Sequence, residues 1–275
     1  MNTQYFLLDK GWLCVDGHIG TDADIVNAAR MSYGNGTRTT REDANLISYL
    51  LEHEHGTPFE IPDIRFRIKC PLFVSKQFMR HRIASYNEIS ARYSKMVNEY
   101  YVPNEWRIQA KHNKQSSVAS DDAIDNKALS KQYVESCQLA FATYNNMLKQ
   151  GVAREMARMI LPASTYTVFI CKLNLRSLLN LVSLRYANNA QYEIRVYAEK
   201  MLEIIKEWLP LTYDAFDNHV LKAAKFSRDE MHILRLILSQ ESAIEYLDGS
   251  LAREKPRHFS NRQWQRFIDK LKTTS

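Results

Sequence analysis

The chain has 275 residues, 45% of them apolar and 25% charged, which supplies one large core or two small ones and excludes a disordered or fibrous chain. The net charge is +6, and residues 220–275 hold 11 Lys and Arg against 7 Asp and Glu, so the modest positive excess is concentrated at one end. No apolar run is long enough to cross a bilayer, and Met1-Asn2-Thr3-Gln4-Tyr5 lacks the basic-then-apolar plan of a signal peptide. A cytoplasmic protein is the expectation.

In chain order, residues 5–15 read as a short strand, with Gly17 and Gly20 marking turns. Asp22 or Asp24 caps a helix running through Met31, and Gly34-Asn35-Gly36 breaks it. Arg41 to Glu54 has helical spacing, with Leu46, Ile47, Leu50 and Leu51 on one side. From Ile61 to Lys69, Ile64, Phe66 and Ile68 alternate with Arg65, Arg67 and Lys69, the pattern of a strand with one buried face. Pro71 opens a helix, a position where proline is tolerated. That helix carries Leu72, Phe73, Lys76, Gln77 and Arg80, with Gln77 and Arg80 on one side near its end.

Tyr93 to Val102 reads as extended, and Asn104 to Ser130 as a polar, partly flexible excursion. A long helix is expected from about Lys131 to Lys149, stopped by Gly151. A short helix follows with Arg154 and Arg158 on one face, then a strand from Thr165 to Lys172. Leu175 to Tyr186 and Gln191 to Trp208 are helical. Further helical patterns lie at Met231–Leu238 and Trp264–Leu271. These elements divide the chain into residues 1–219 and a helical C-terminal extension, 220–275. Cys14, Cys70, Cys137 and Cys171 are widely spaced with no C-x-x-C pair. They read as structural thiols, with no disulfide, no metal site and no role for Cys171 as a nucleophile.

The chemistry concentrates in Arg80-His81-Arg82-Ile83-Ala84-Ser85-Tyr86-Asn87-Glu88-Ile89-Ser90-Ala91-Arg92. Three arginines, a histidine, a carboxylate, an amide and two hydroxyls follow an apolar-rich segment. Arginine matches phosphate with a rigid two-pronged donor and stays charged at any working pH. The run suits a phosphorylated, polar small molecule; by residue type alone it equally suits an exposed, charged helix end.

The run resembles the signature of the flavin-dependent thymidylate synthases: Arg-His-Arg, seven residues, then Ser, here Arg80, His81, Arg82 and Ser90, with Ser85, Asn87, Glu88 and Arg92 also matching. The resemblance continues at His53-Glu54-His55-Gly56-Thr57-Pro58-Phe59-Glu60, at Arg154 to Pro162, at Asn174 to Asn180 with Arg185 beyond, and at Ala190 to Arg195. It covers roughly the first four-fifths of the chain, a whole domain by usual sizes, and leaves residues 220–275 outside. Two positions depart from the family pattern: Gly56 stands in place of an acidic residue and Ile61 in place of a histidine.

The resemblance implies an α/β (α+β) fold with a mostly antiparallel central sheet and flanking helices, assembled as a homotetramer. It implies methylation of deoxyuridylate (dUMP) to thymidylate, with methylenetetrahydrofolate giving the carbon and NADPH reducing a bound FAD. It assigns FAD contacts to Thr57, Arg80, His81, Arg82, Glu88, Asn174, Arg176 and Asn180. It assigns dUMP contacts to Gln77, Arg80, Glu88, Ser90, Arg92, Arg158 and Arg185, and sets His55 near flavin and folate. Arg185 takes the catalytic position, beside the uracil edge where negative charge develops. Ser90 reads as a hydrogen-bond donor, because a serine nucleophile needs an adjacent base.

On the residues themselves, Asn174 is also a plain helix cap and Arg185 also a helix-end arginine. Two other functions stay open at this stage. One is an FAD-binding, NADPH-oxidising protein without methyl transfer. The other is a basic nucleic-acid-binding protein, disfavoured because the tail lacks a recognition motif. Neither a nucleic acid nor a membrane is expected as a partner.

Overall fold

A computed structural model describes residues 3–31, 40–110, 117–120, 124–238, 261 and 264. It divides into two compact units, residues 1–222 and 223–275. The first is built on a sheet whose strands are β1 (Gln4–Leu7), β2 (Gly11–Ile19), β3 (Asp63–Pro71), β4 (Ser85–Glu88) and β7 (Tyr166–Asn174). They lie in the order β1-β2-β3-β7-β4. All four pairings are antiparallel, as expected. A small separate hairpin joins β5 (Arg107–Gln109) and β6 (Ser117–Ala119).

The alternation in β3 does what its pattern dictates. Ile64, Phe66 and Ile68 are at most 1% exposed, and Arg65 and Arg67 face outward. Full burial of such side chains stabilises by roughly 1.5–3 kcal/mol each. Across the ladder, β7 contributes Phe169, Cys171 and Leu173 to the same core. The helices that cover it are α1 (Asp22–Arg30), α2 (Thr40–Glu52), α3 (Leu72–Phe78), α6 (Leu175–Arg185), α7 (Tyr192–Trp208) and α8 (Pro210–Phe216). A smaller cluster of Met96, Phe141, Tyr144 and Ala157 packs around α4 (Asn126–Lys149) and α5 (Arg154–Ala157).

Several local expectations are corrected. Residues 5–15 form a hairpin, turned at Leu8, whose φ is +58°. Gly11 is required on its return: a Cβ there would overlap the Tyr197 hydroxyl and lie 2.7 Å from the Leu7 carbonyl. Gly17 lies inside β2 at a bulge against β3. Thr21, not Asp22 or Asp24, is the N-cap of α1, and Asp24 accepts from its backbone N–H at 2.7 Å. Asp22 instead caps α8, accepting from Leu211 N at 3.0 Å and Thr212 N at 3.1 Å.

Helix α3 ends at Phe78, so Arg80 lies beyond it rather than on its side. Between Tyr93 and Val102 the described backbone is mostly irregular, with a single bridge from Tyr100 to Thr165. The polar excursion contains the β5–β6 hairpin, and α4 begins at Asn126, where the Asp125 side chain accepts from Ala128 N at 2.9 Å. The Gly34-Asn35-Gly36 break lies outside the described residues. Helix α9 (Arg228–Leu238) contains the Met231–Leu238 pattern; most of the Trp264–Leu271 pattern lies outside the described residues. No described helix is long and apolar enough to cross a membrane. The four cysteines are buried and unpaired.

Candidate active site

The arginine-rich run becomes the connection from α3 to β4, β4 itself, and the turn after it. Its N-terminal part is pinned by Tyr86. The Tyr86 hydroxyl lies 2.7 Å from the Phe78 carbonyl and 3.0 Å from the His81 carbonyl, and donates to this pair. A residue on the edge strand therefore fixes the turn that presents Arg80 and His81. The His81 ring is buried, and its Nε2 accepts from Arg185 Nε at 3.1 Å. Arg185 also reaches the Gln77 carbonyl at 3.5 Å, and the Gln77 amide donates to Gln191 Oε1 at 2.6 Å. Burial, with the Arg185 charge added, lowers the His81 pKa from 6.5 to about 4. The imidazole is therefore neutral at neutral pH and serves Arg185 as an acceptor.

A second group lines a cavity of about 320 Å³. Glu88, Ser90 and Arg158 face it, with Leu72 and Met96 in its wall. Glu88 Oε1 accepts from the Thr167 hydroxyl at 2.7 Å. Ser90 Oγ accepts from Arg92 N at 3.2 Å, a local turn partner, and no base is bonded to it among the described contacts. Arg92 pairs with Glu155 at 3.1 Å, both side chains more than half exposed. Arg154 donates to the Tyr93 carbonyl at 3.2 Å.

The third group surrounds the start of α6. Asn174 is its N-cap, its Oδ1 accepting from Ser177 N at 2.9 Å. Arg176 pairs with Glu60 at 2.5 Å. Its guanidinium lies over Gly56, where an added Cβ would meet Arg176 Nε at 2.5 Å. A larger residue at position 56 would require the exposed Arg176 side chain to shift. Thr57 opens the 3-10 turn Thr57–Glu60. His55 is exposed, 5.9 Å edge-on from Tyr49, behind a left-handed Glu54 with φ +55°. Asn180, Arg80, Arg82 and Ile61 are also exposed.

Within one chain the candidate residues thus form separate groups. Sequence reasoning missed Tyr86, Thr167, Glu60, Glu155 and Gln191, which hold them. Tyr86, Glu60, Glu155 and Gln191 lie inside the motif segments quoted above, whereas Thr167 lies outside them and shows only as a hydroxyl in an otherwise apolar alternation. Cys171, buried in the core, has its thiol pushed up to about 12 by burial, consistent with an inert side chain. No cluster that could hold a metal occurs among the described residues.

Residues 15–211 match the family model described as "Thymidylate synthase complementing protein". The chain belongs to this family. A "Flavin-dependent thymidylate synthase" of Thermus thermophilus is 48% identical over 236 residues, 86% of each chain. One of Ehrlichia ruminantium (strain Gardel) is 40% identical over 273 residues, covering 98% of this chain and 88% of that one. This second alignment takes in the C-terminal segment, which is therefore not peculiar to this chain. Among solved structures, the UMP/dUMP methylase PolB of Streptomyces cacaoi, bound with 5-Br dUMP, aligns with a TM-score of 0.72 at 30% identity. It covers 78% of this chain and 97% of that chain.

Proposed function

We propose that this member of the family is a flavin-dependent thymidylate synthase: it methylates dUMP reductively, using methylenetetrahydrofolate as carbon donor and NADPH as reductant. The observation that carries this reading is the arginine-rich run folded so that Arg185 is aimed by a neutral His81 beside Gln77. A guanidinium fixed in that way stabilises negative charge developing on a uracil ring without reorganising, the role of an oxyanion hole. Arg158 and Arg92 supply charge for the phosphate. Glu88 accepts from a ligand donor, and Ser90 hydrogen-bonds the nucleotide.

The residues also fit FAD. Arg80, Arg82 and Arg176 are exposed guanidinium groups, and the amides at the start of α6 favour an anion. Bound flavin would supply the reducing electrons. Thr57, His81, Glu88, Asn174 and Asn180 complete its proposed contacts, with His55 at the folate side. A site shared between subunits of a homotetramer joins the separate groups. Apolar side chains flanking them, Ile83 at 77%, Tyr93 at 75% and Met159 at 68% exposure, suit burial against further copies. The C-terminal extension read from residue 220 carries helix α9 (Arg228–Leu238) among its described residues; the compact units divide between residues 222 and 223.

The test supplies the purified protein with dUMP, NADPH and carbon-labelled methylenetetrahydrofolate, and follows label in thymidylate together with the flavin absorbance. Label in thymidylate is the expected result. Flavin reduction without label selects the oxidase reading, and a colourless protein without activity overturns the proposal.

A further inference from the structure

Strand β7 directs Thr167, Phe169, Cys171 and Leu173 into the buried side of the sheet, where each is at most 2% exposed. Three members of this row are apolar. The fourth brings a hydroxyl into the same dry layer, beside Cys70 on β3. A buried hydroxyl is costly unless it is bonded, and valine would fill the same shape without that cost. The Thr167 hydroxyl is bonded to one group among the described contacts, Glu88 Oε1 at 2.7 Å. Both residues line the cavity of about 320 Å³ that also presents Ser90 and Arg158.

We propose that Thr167 is a positioning residue for the methylation reaction: its hydroxyl clamps one oxygen of Glu88 so that the other faces the nucleotide. This rests on the dUMP reading above. Glu88 is the last residue of a four-residue strand at the sheet edge, and its side chain has three rotatable bonds. Unclamped, it would be free to sample several rotamers and to turn toward Arg158, which lines the same cavity. Clamped at Oε1, it presents Oε2 as an acceptor for an N–H or O–H of the ligand and leaves Arg158 to the phosphate. The hydrogen bond to a carboxylate is of the charge-assisted kind, roughly twice as strong as a neutral one. That strength suits a side chain which must keep one orientation while a ligand enters and leaves.

The experiment compares Thr167→Val, Thr167→Ser and Glu88→Gln, singly and with Thr167→Val combined with Glu88→Gln. It reads dUMP dissociation by flavin-spectrum titration, then kcat and KM, flavin content and Tm. Thr167→Val is expected to weaken dUMP binding about tenfold, raising KM more than it lowers kcat, with flavin content retained. Thr167→Ser keeps the hydroxyl and restores binding to within about twofold. In the Glu88→Gln background, Thr167→Val adds less than in the wild-type background, because the two side chains act as one unit. If Thr167→Val does not fold, Thr167→Cys, similar in volume with a weaker donor, is read in the same way. Unchanged dUMP affinity in the folded variant overturns the clamp. So does full additivity in the double variant, which would make Thr167 a packing residue only. The wild-type protein separates the two levels: no dUMP binding or thymidylate at all overturns the proposed function, whereas an active wild type with an unaffected Thr167→Val overturns this inference alone.

Discussion

Arg185 and Arg92 are both candidate ligands for the same nucleotide, yet the fold holds them in opposite ways. Arg185 is partly buried and bonded to a neutral ring nitrogen and a backbone carbonyl. Neither partner cancels its charge. Arg92 lies at the surface against Glu155, with 55% and 52% of the two side chains exposed, and Arg176 against Glu60 is alike at 57% and 42%. Such pairs are screened by water and contribute about 0–1 kcal/mol. On the proposed function, a carboxylate there would hold the guanidinium until a phosphate displaces it, and the difference follows the chemistry each group would face. A ring in reaction demands fixed geometry and an uncompensated charge, whereas a phosphate dianion tolerates mobile ligands and needs only charge.

The comparison is broken most directly at Arg185. Arg185→Ala is expected to lower turnover on the order of 100-fold or more at saturating dUMP while the protein keeps its flavin. Arg185→Lys recovers little, because an ammonium lacks the second prong. Near-normal turnover in either variant would remove the distinction between the two regions.

Arg158→Ala sharpens the other side. Losing a charge-assisted contact costs roughly 1.5–3 kcal/mol, seen as weaker dUMP binding in a flavin-spectrum titration, with FAD affinity affected less. Equal loss of both ligands would place Arg158 elsewhere.

The buried corner also predicts a pH dependence of stability. The His81 pKa is about 4 in the fold against 6.5 ordinarily, so the unfolded chain takes up a proton that the fold refuses. Stability from this group is complete above pH 6.5 and falls as pH drops toward 4, by on the order of 1 kcal/mol or more. Urea midpoints across that range, compared between wild type and His81→Asn, check it. The variant should show the shallower decline, and parallel curves contradict a neutral buried His81.

The smallest effect belongs to the surface pairs. Glu155→Gln is expected to change stability by under about 0.5 kcal/mol and to leave dUMP binding unchanged or slightly tighter. A loss of affinity beyond tenfold would mean that Glu155 positions Arg92 rather than merely holding it between ligands.

How much of this was legible in the sequence depends on distance along the chain. The β3 alternation, the helical face of α2, the extent of α7 and the Asn174 cap of α6 all rest on neighbours within a few residues, where the period of the backbone imposes the pattern. The turn at Leu8 carried no glycine or proline of its own, and only Gly11 beyond it records the close approach of Tyr197. Asp22 was readable as a cap but not for the right helix. Its carboxylate serves α8, 189 residues away at Leu211.

The sequence by itself determined the family, through motifs whose residue types and spacing match it. The antiparallel sheet with flanking helices, and the candidate nucleotide and flavin residues, came with that resemblance. Only the tertiary structure decided which of those residues are held rigidly and which loosely. His81 meets Arg185 across 104 residues, and Thr167 meets Glu88 across 79. Those meetings depend on strand register and helix docking, which no local period encodes. Burial then sets the charge state of His81 and the bonding of Thr167, since the cost of a polar group in the core is fixed by what packs around it.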